Sequence, residues 1–305
     1  MNMVFRPLHV LPIRDSHLTV RECLSWTGAF FERRGIPDGR LSAEVILGSI
    51  LGRDRVGILI GGNQLLEGRD LQAFQEKILR RAAHEPVAYL VGEKEFWSLT
   101  FDVNPDVLIP RPETELLVEV SLSIIEADHN LKNIVELGTG SGAIAISLAK
   151  SVSPDRSFCF VATDRSAPAL KTAGTNARRH GVQDKIDFVQ GDWLSPFSYR
   201  QRWIDLLIAN PPYIASGEMA GLPVTVKAYE PLQALEGGVE GLGSIRTILS
   251  QAKEQLNPGG WLLMEIGDLQ GEKVLQLASK HHFSSASIMK DYANKDRVLK
   301  ARFHG

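Results

Sequence analysis

From residue 134 to the last residue, short apolar runs alternate with longer stretches of helical period, and this alternation restricts the fold more than any other feature of the chain. Residues 134–137, 158–163, 186–189 and 204–209 read as strands, each rich in Ile, Leu, Val or Phe. Helical stretches begin at Ala143, span 167–180 and span 243–256. A fifth strand follows at 261–266, and 285–290 and 297–303 close the chain as two more. Near-continuous apolar strands separated by helices bury both faces of a sheet, which parallel sheets require and two-sided solvent exposure forbids. The expected class is therefore α/β: a doubly wound, mostly parallel, seven-stranded sheet over residues 111–305. In such a sheet ligands bind outside the carboxyl ends of the strands.

The first 86 residues read differently. Thr19 followed by Glu22 is a capping box, and Cys23, Leu24, Thr27, Phe30 and Phe31 recur at helical spacing until Gly35 and Pro37. Further helices are expected at 41–52 and from Asp70, as N-cap, to the residues before Pro86. Residues 1–86 thus form a small helical domain, with 1–16 as an extended tail, and 87–110 form a β-hairpin linking it to the sheet. This domain carries 12 Lys/Arg against 10 Asp/Glu, and the whole chain 34 against 36, a formal charge of -2. A near-neutral balance gives no general electrostatic grip on nucleic acid or an anionic membrane. Two distant cysteines, Cys23 and Cys159, fit a reducing compartment, and no apolar run approaches the ~20 residues that span a bilayer. A cytoplasmic location is expected.

Three motifs sit at strand ends. Gly138-Thr139-Gly140-Ser141-Gly142 joins the first strand of the sheet to a helix. Its spacing is G-x-G-x-G, not the G-x-G-x-x-G of dinucleotide binders, and glycines there permit a tight turn and close approach of a ligand. Asp164 ends the next strand, where an acid reaches ribose hydroxyls. Asn210-Pro211-Pro212-Tyr213 follows the strand at 204–209. Two prolines remove two backbone donors and leave carbonyl acceptors. Asn210 adds another acceptor, a set that suits a planar NH2 group, and Tyr213 offers an aromatic face to cover it. Each motif also has a plainer reading: a Gly-rich turn, a helix N-cap, a rigid Asn-Pro turn.

Together these residues resemble the S-adenosylmethionine-dependent methyltransferases that act on amino nitrogens. Glu95-Phe96-Trp97-Ser98, the run from Leu108 to Glu115, Tyr229-Glu230-Pro231, the run from Ala234 to Leu242, and Asp291-Tyr292 with Arg297-Val298 narrow the likeness to the protein-glutamine N5-methyltransferases. Glu136 and Glu240 stand where that family often has Asp. The resemblance implies a Rossmann-like methyltransferase sheet and S-adenosylmethionine as cofactor. It implies that Gly138, Thr139, Gly140, Ser141, Gly142 and Asp164 hold that cofactor, with Trp193 on the adenine, Asp192 near its amino group and Asn210 bordering it. Asn210, Pro211, Pro212 and Tyr213 would hold the substrate amide, with Asn210, Pro211 and Tyr213 serving catalysis. The implied substrate is the glutamine of the Gly-Gly-Gln tripeptide in peptide chain release factors, with residues 1–86 as the domain that recognises the folded protein. The alternative is a ribosomal protein. An adenine-N6 nucleic-acid methyltransferase, a non-enzymatic scaffold and a nicotinamide dehydrogenase are further readings. The first conflicts with the charge balance, the second with the intact motifs and the third with the glycine spacing. No metal site is expected.

Overall fold

A computed structural model describes residues 18–153, 155–197 and 202–305, and the chain divides into two compact units, Met1–Gly92 and Glu93–Gly305. The tail expected at 1–16 lies outside the described residues. Among them, no helix is long and apolar enough to cross a membrane.

In the first unit, β1 (Leu18–Thr19) pairs antiparallel with β2 (Leu65–Leu66). The helices are α1 (Val20–Glu32), α2 (Gly39–Leu51), α3 (Arg55–Ile60), α4 (Gly68–Ala82) and α5 (Val87–Val91). The capping box is present: the Glu22 amide donates to Thr19 Oγ1 at 3.2 Å and the Thr19 amide to Glu22 Oε2 at 2.8 Å. Phe31, Ile46, Leu47, Ile58, Phe74 and Ile78 fill the core between these helices. Three expectations change. Glu67, not Asp70, is the N-cap of α4, and Asp70 lies in its first turn. The six residues of α3 form a helix that the sequence did not announce. Residues 87–91 are helical rather than the start of a hairpin, because Gly92, at φ 86°, caps α5 by donating its amide to Ala88 O.

The second unit opens with the hairpin of β3 (Glu93–Phe96) and β4 (Leu99–Asp102). A 3-10 turn at Pro112–Thr114 leads into α6 (Glu115–Ala127). Then come β5 (Asn133–Leu137), α7 (Ala143–Ser151), β6 (Cys159–Asp164), α8 (Ala167–Arg179), β7 (Asp187–Gln190) and β8 (Ile204–Ala209). After them lie α9 (Val224–Lys227), α10 (Gly243–Gln255), β9 (Leu256–Glu265), α11 (Gly271–Lys280), β10 (Phe283–Lys290) and β11 (Asp296–Phe303). The seven strands β5–β11 form one sheet in the order β10-β11-β9-β8-β5-β6-β7. Only β11 runs antiparallel to its neighbours. Two clusters of buried side chains cover the two faces, one including Ile134, Leu206 and Ile208, the other Val135, Leu207 and Leu262, so alternate residues of a strand serve opposite cores.

The chain order reverses between β5 and β8, and that register positions everything that follows. Leu137 pairs with Ala209, and Ala209 with Met264. The next residues, Gly138, Asn210 and Glu265, therefore stand side by side at the sheet's carboxyl edge. Such a reversal opens a crevice in doubly wound sheets.

Candidate active site

A cavity of about 350 Å³ occupies this crevice, within the roughly 300–1,000 Å³ of small-molecule sites. Its walls come from four strand ends: Gly138–Ser141, Ala143 and Ile144 after β5, Asp164–Ser166 after β6, Gly191–Trp193 after β7, and Asn210 and Pro212 after β8; Thr114, Pro231, Gln233, Ala234 and Glu236 close it.

The Gly loop is held by its own backbone. The Thr139 amide donates to Thr163 O at 2.9 Å, and the Gly142 amide to Thr139 O at 2.8 Å. Gly138 and Gly140 line the cavity at positive φ (70° and 56°), so backbone rather than side chain faces the space. Gly142 does not line it. A Cβ there would meet Ile146 Cδ1 at 2.7 Å and Ala173 Cβ at 3.2 Å, so this glycine lets the loop and α7 pack closely against α8. The resemblance gave Gly142 a cofactor-binding role; the structure places it where α7 and α8 pack.

Asp164 is fixed from two sides. Its Oδ2 accepts from the Gly140 amide at 2.9 Å and its Oδ1 from the Ser166 amide at 2.8 Å. Each carboxylate oxygen keeps a lone pair for a hydroxyl. Burial still pushes the Asp164 carboxyl above its ordinary range. Below the loop, Glu136 is 1% exposed, accepts from Thr139 Oγ1 at 2.7 Å, and is pushed up to about 8 by burial. Among the described residues, Asp106, Asp164, Asp192 and Glu236 line the cavity against two arginines, Arg111 and Arg165, while Glu136, pushed up to about 8, adds little charge near pH 7. That balance suits a cationic ligand and opposes a pyrophosphate. Asp192 is exposed, and Trp193 is half-buried at φ 53° with its ring 3.7 Å from where a Gly138 Cβ would stand. A Gly-backbone cradle, an acid for ribose hydroxyls, an aromatic face and a negative lining fit S-adenosylmethionine.

The other half of the cavity is built on a buried carboxylate that the sequence did not reveal. Asn210 Nδ2 donates to Thr114 Oγ1 at 3.2 Å, and the Thr114 hydroxyl donates to Glu265 Oε2 at 2.7 Å. The Tyr213 hydroxyl donates to Glu265 Oε1 at 3.3 Å. Glu265 is 1% exposed, and burial pushes it up to about 7 against the pull of Thr114, Arg297 and Tyr213. The same burial and the Glu265 charge push the Tyr213 phenol up. The one signal available was a lone acid ending the apolar run of β9, beside a strand whose next residue is Asn210.

Tyr213 and Pro211 do not line the cavity. Pro211 is buried, and Tyr213 spends its hydroxyl on Glu265. Tyr213 O accepts from Gln270 Nε2 at 3.0 Å. Of the motif expected to hold the amide, Asn210 and Pro212 are the two residues at the cavity wall. Arg111 pairs with Glu230 at 2.5 Å while Glu230 Oε2 accepts from the Ile109 amide at 3.1 Å, which ties the 109–111 segment to the loop after α9.

Comparison with known proteins bears on this site. Residues 22–92 match the family described as "PrmC N-terminal domain", and residues 128–300 match a "Methyltransferase domain". The chain is 39% identical over 293 residues to the release factor glutamine methyltransferase of Nitratidesulfovibrio vulgaris, covering 95% of this chain and 97% of that protein. It is 40% identical over 285 residues to the protein of the same name from Moorella thermoacetica, covering 93% and 98%. Among solved structures, the hMettl16 catalytic domain aligns with a TM-score of 0.54 at 15% identity, covering 79% of this chain and 83% of that one, a likeness of fold alone.

Proposed function

The chain belongs to the release factor glutamine methyltransferases, and from that membership we infer that it methylates a glutamine of a peptide chain release factor. The donor we assign is S-adenosylmethionine, and the acceptor is the side-chain amide nitrogen (N5) of the glutamine in Gly-Gly-Gln. One observation carries the assignment of the amide: Asn210 lines the cavity with its Nδ2 already engaged on Thr114, so its Oδ1 is the end left to accept from an NH2 group.

An amide nitrogen is a poor nucleophile because its lone pair is delocalised into the carbonyl. Bound in the cradle of Gly138 and Gly140, the sulfonium cofactor supplies an electrophilic methyl group. The chain's own contribution is alignment, which supplies several of the roughly 7–11 kcal/mol available to proximity. Asp164 anchors the ribose end through fixed oxygens. Trp193 and Asp192 border the adenine end. Asn210 Oδ1 turns the amide nitrogen toward the methyl group and stabilises positive charge growing on that nitrogen. The acidic lining favours the same charge. The first unit supplies further surface for a folded protein substrate, and the reaction takes place in the cytoplasm.

Labelled-methyl transfer from S-adenosylmethionine to a release factor, a ribosomal protein, DNA and RNA, run side by side, tests the reading. Label enters the release factor alone, and a release factor with its motif glutamine changed to alanine takes none. A chain beginning at Glu93 still binds the cofactor but labels the folded factor poorly. Label in the ribosomal protein or in nucleic acid, with none in the release factor, would overturn the assignment.

A further inference from the structure

We propose that Thr114, held by the buried carboxylate of Glu265, decides which end of the Asn210 side-chain amide faces the substrate, so that Thr114 and Glu265 are positioning residues for transfer to an amide nitrogen. The proposal rests on Asn210 being the acceptor for the substrate NH2.

A threonine hydroxyl has one proton to give. Here Glu265 Oε2 takes it at 2.7 Å. Thr114 and Glu265 are 5% and 1% exposed, so bulk water does not compete for it. With its proton committed, Thr114 Oγ1 offers Asn210 only a lone pair. The near end of the Asn210 amide must then be the donor, and Nδ2 stands there at 3.2 Å. The far end, Oδ1, is thereby the acceptor. A flipped Asn210 fails twice: Oδ1 meets the Thr114 oxygen with no proton between them, and Nδ2 confronts the substrate's own NH2 donors. Orientation of a terminal amide is otherwise nearly free, because its two ends have almost the same shape.

Glu265 also receives the Tyr213 hydroxyl, so one carboxylate fixes both ends of the Asn210–Tyr213 segment. The groups facing it come from several elements. Arg297 of β11, itself paired with Asp291 at 3.1 Å, adds a positive charge, and Glu113 of the 3-10 turn adds a negative one. The register supplies the rest: Ala209 pairs with Met264, which puts Glu265 beside Asn210, and the 3-10 turn brings Thr114 between them. Glu265 is the one acid of β9.

The test compares Thr114→Val, which keeps the shape and loses the hydroxyl, with Thr114→Ser, which keeps the hydroxyl. Both are made in chains carrying Asn210 and in chains carrying Asn210→Asp, whose two carboxylate oxygens need no orientation. Single-turnover transfer to the release factor is measured at about pH 8.5, where Glu265 is ionised, alongside cofactor affinity. Thr114→Val lowers transfer about tenfold, the equivalent of one lost oriented hydrogen bond; Thr114→Ser restores most of it, and cofactor affinity stays within twofold in both. In the Asn210→Asp chain, where a carboxylate oxygen always meets the Thr114 oxygen with no proton between them, Thr114→Val costs nothing or raises transfer. A purely packing role for Thr114 costs the same factor in both chains, and that result overturns the proposal. So does wild-type transfer by Thr114→Val. If Thr114→Val fails to fold by circular dichroism, Thr114→Ala makes the same comparison without the branched bulk. Asn210→Ala separates the two levels. If it is inactive while Thr114→Val is unaffected, the orientation proposal falls and the reading of Asn210 stands. If Asn210→Ala transfers normally, that reading falls and takes the proposal with it.

Discussion

At the level of single residues, the proposed site divides into a half for the cofactor and a half for the amide, and on that reading the two respond separately to substitution. Asp164→Ala removes a fixed carboxylate, and hydrogen bonds to charged groups contribute about 1.5–3 kcal/mol each. Cofactor affinity should fall tenfold or more by calorimetry. Asn210→Ala leaves the Gly loop and Asp164 intact, so cofactor affinity should change little while transfer falls by about 10²–10³, as when one oriented donor or acceptor is lost from a transition state. Loss of cofactor binding in Asn210→Ala would contradict this division. Sequence alone carried much of this. The Gly loop, Asp164 and Asn210 are legible because each is a special residue type at the end of a strand. Glu265 and Thr114 are not, because one acid in an apolar strand and one threonine in a proline-rich turn have no pattern of their own. Their roles exist only once the register of β8 and β9 sets them beside Asn210. Tyr213 shows the reverse case. Its motif is plain, yet its hydroxyl is engaged by a buried partner outside the motif, Glu265.

Among the elements, the segment after β8 is held in place by the loop at 235–243. The Ile214 amide donates to Leu235 O at 3.0 Å, and the Gly237 amide to Ile214 O at 2.8 Å. Gln270 Nε2 bridges Tyr213 O at 3.0 Å and Gly241 O at 3.3 Å. Gly241 is at φ 70°, and a Cβ on it would stand 2.2 Å from Tyr213 O. Gly241→Ala must therefore push the loop off the Asn210–Tyr213 backbone. Strain of this kind costs about 1–3 kcal/mol. Thermal melting should show a lower Tm, and transfer should drop at least tenfold with cofactor affinity retained. An alanine variant that melts and transfers like the wild type would show that the loop does not position the motif. Most long elements were readable from the sequence because each repeats its pattern over two or more turns or buries a continuous apolar strand; α11, ten residues long, was not expected. The short ones were not. α3 has six residues and α5 has five, too few for a period to declare itself. The hairpin accordingly begins at Glu93, after the Gly92 cap, instead of at 87.

For the molecule as a whole, charge and topology point to one kind of substrate. A formal charge of -2 offers no broad attraction for a polyanion, and the acid-rich cavity favours a cation with a neutral amide beside it. The mostly parallel sheet follows from chain alternation that the sequence displays; the strand order and the antiparallel run of β11 do not, because β5 pairs with β8 and β9 with β11 across intervening elements. The first unit folds around its own core and matches the same family's N-terminal domain, consistent with a protein substrate. The claim that joins these levels is that the acceptor is a glutamine side-chain nitrogen. Fragmentation mass spectrometry of an intact release factor after one turnover with the full chain and S-adenosylmethionine tests it most directly. A single added methyl on the side-chain nitrogen of the Gly-Gly-Gln glutamine is the predicted result; a methyl on any other residue, or none on that glutamine, would contradict it.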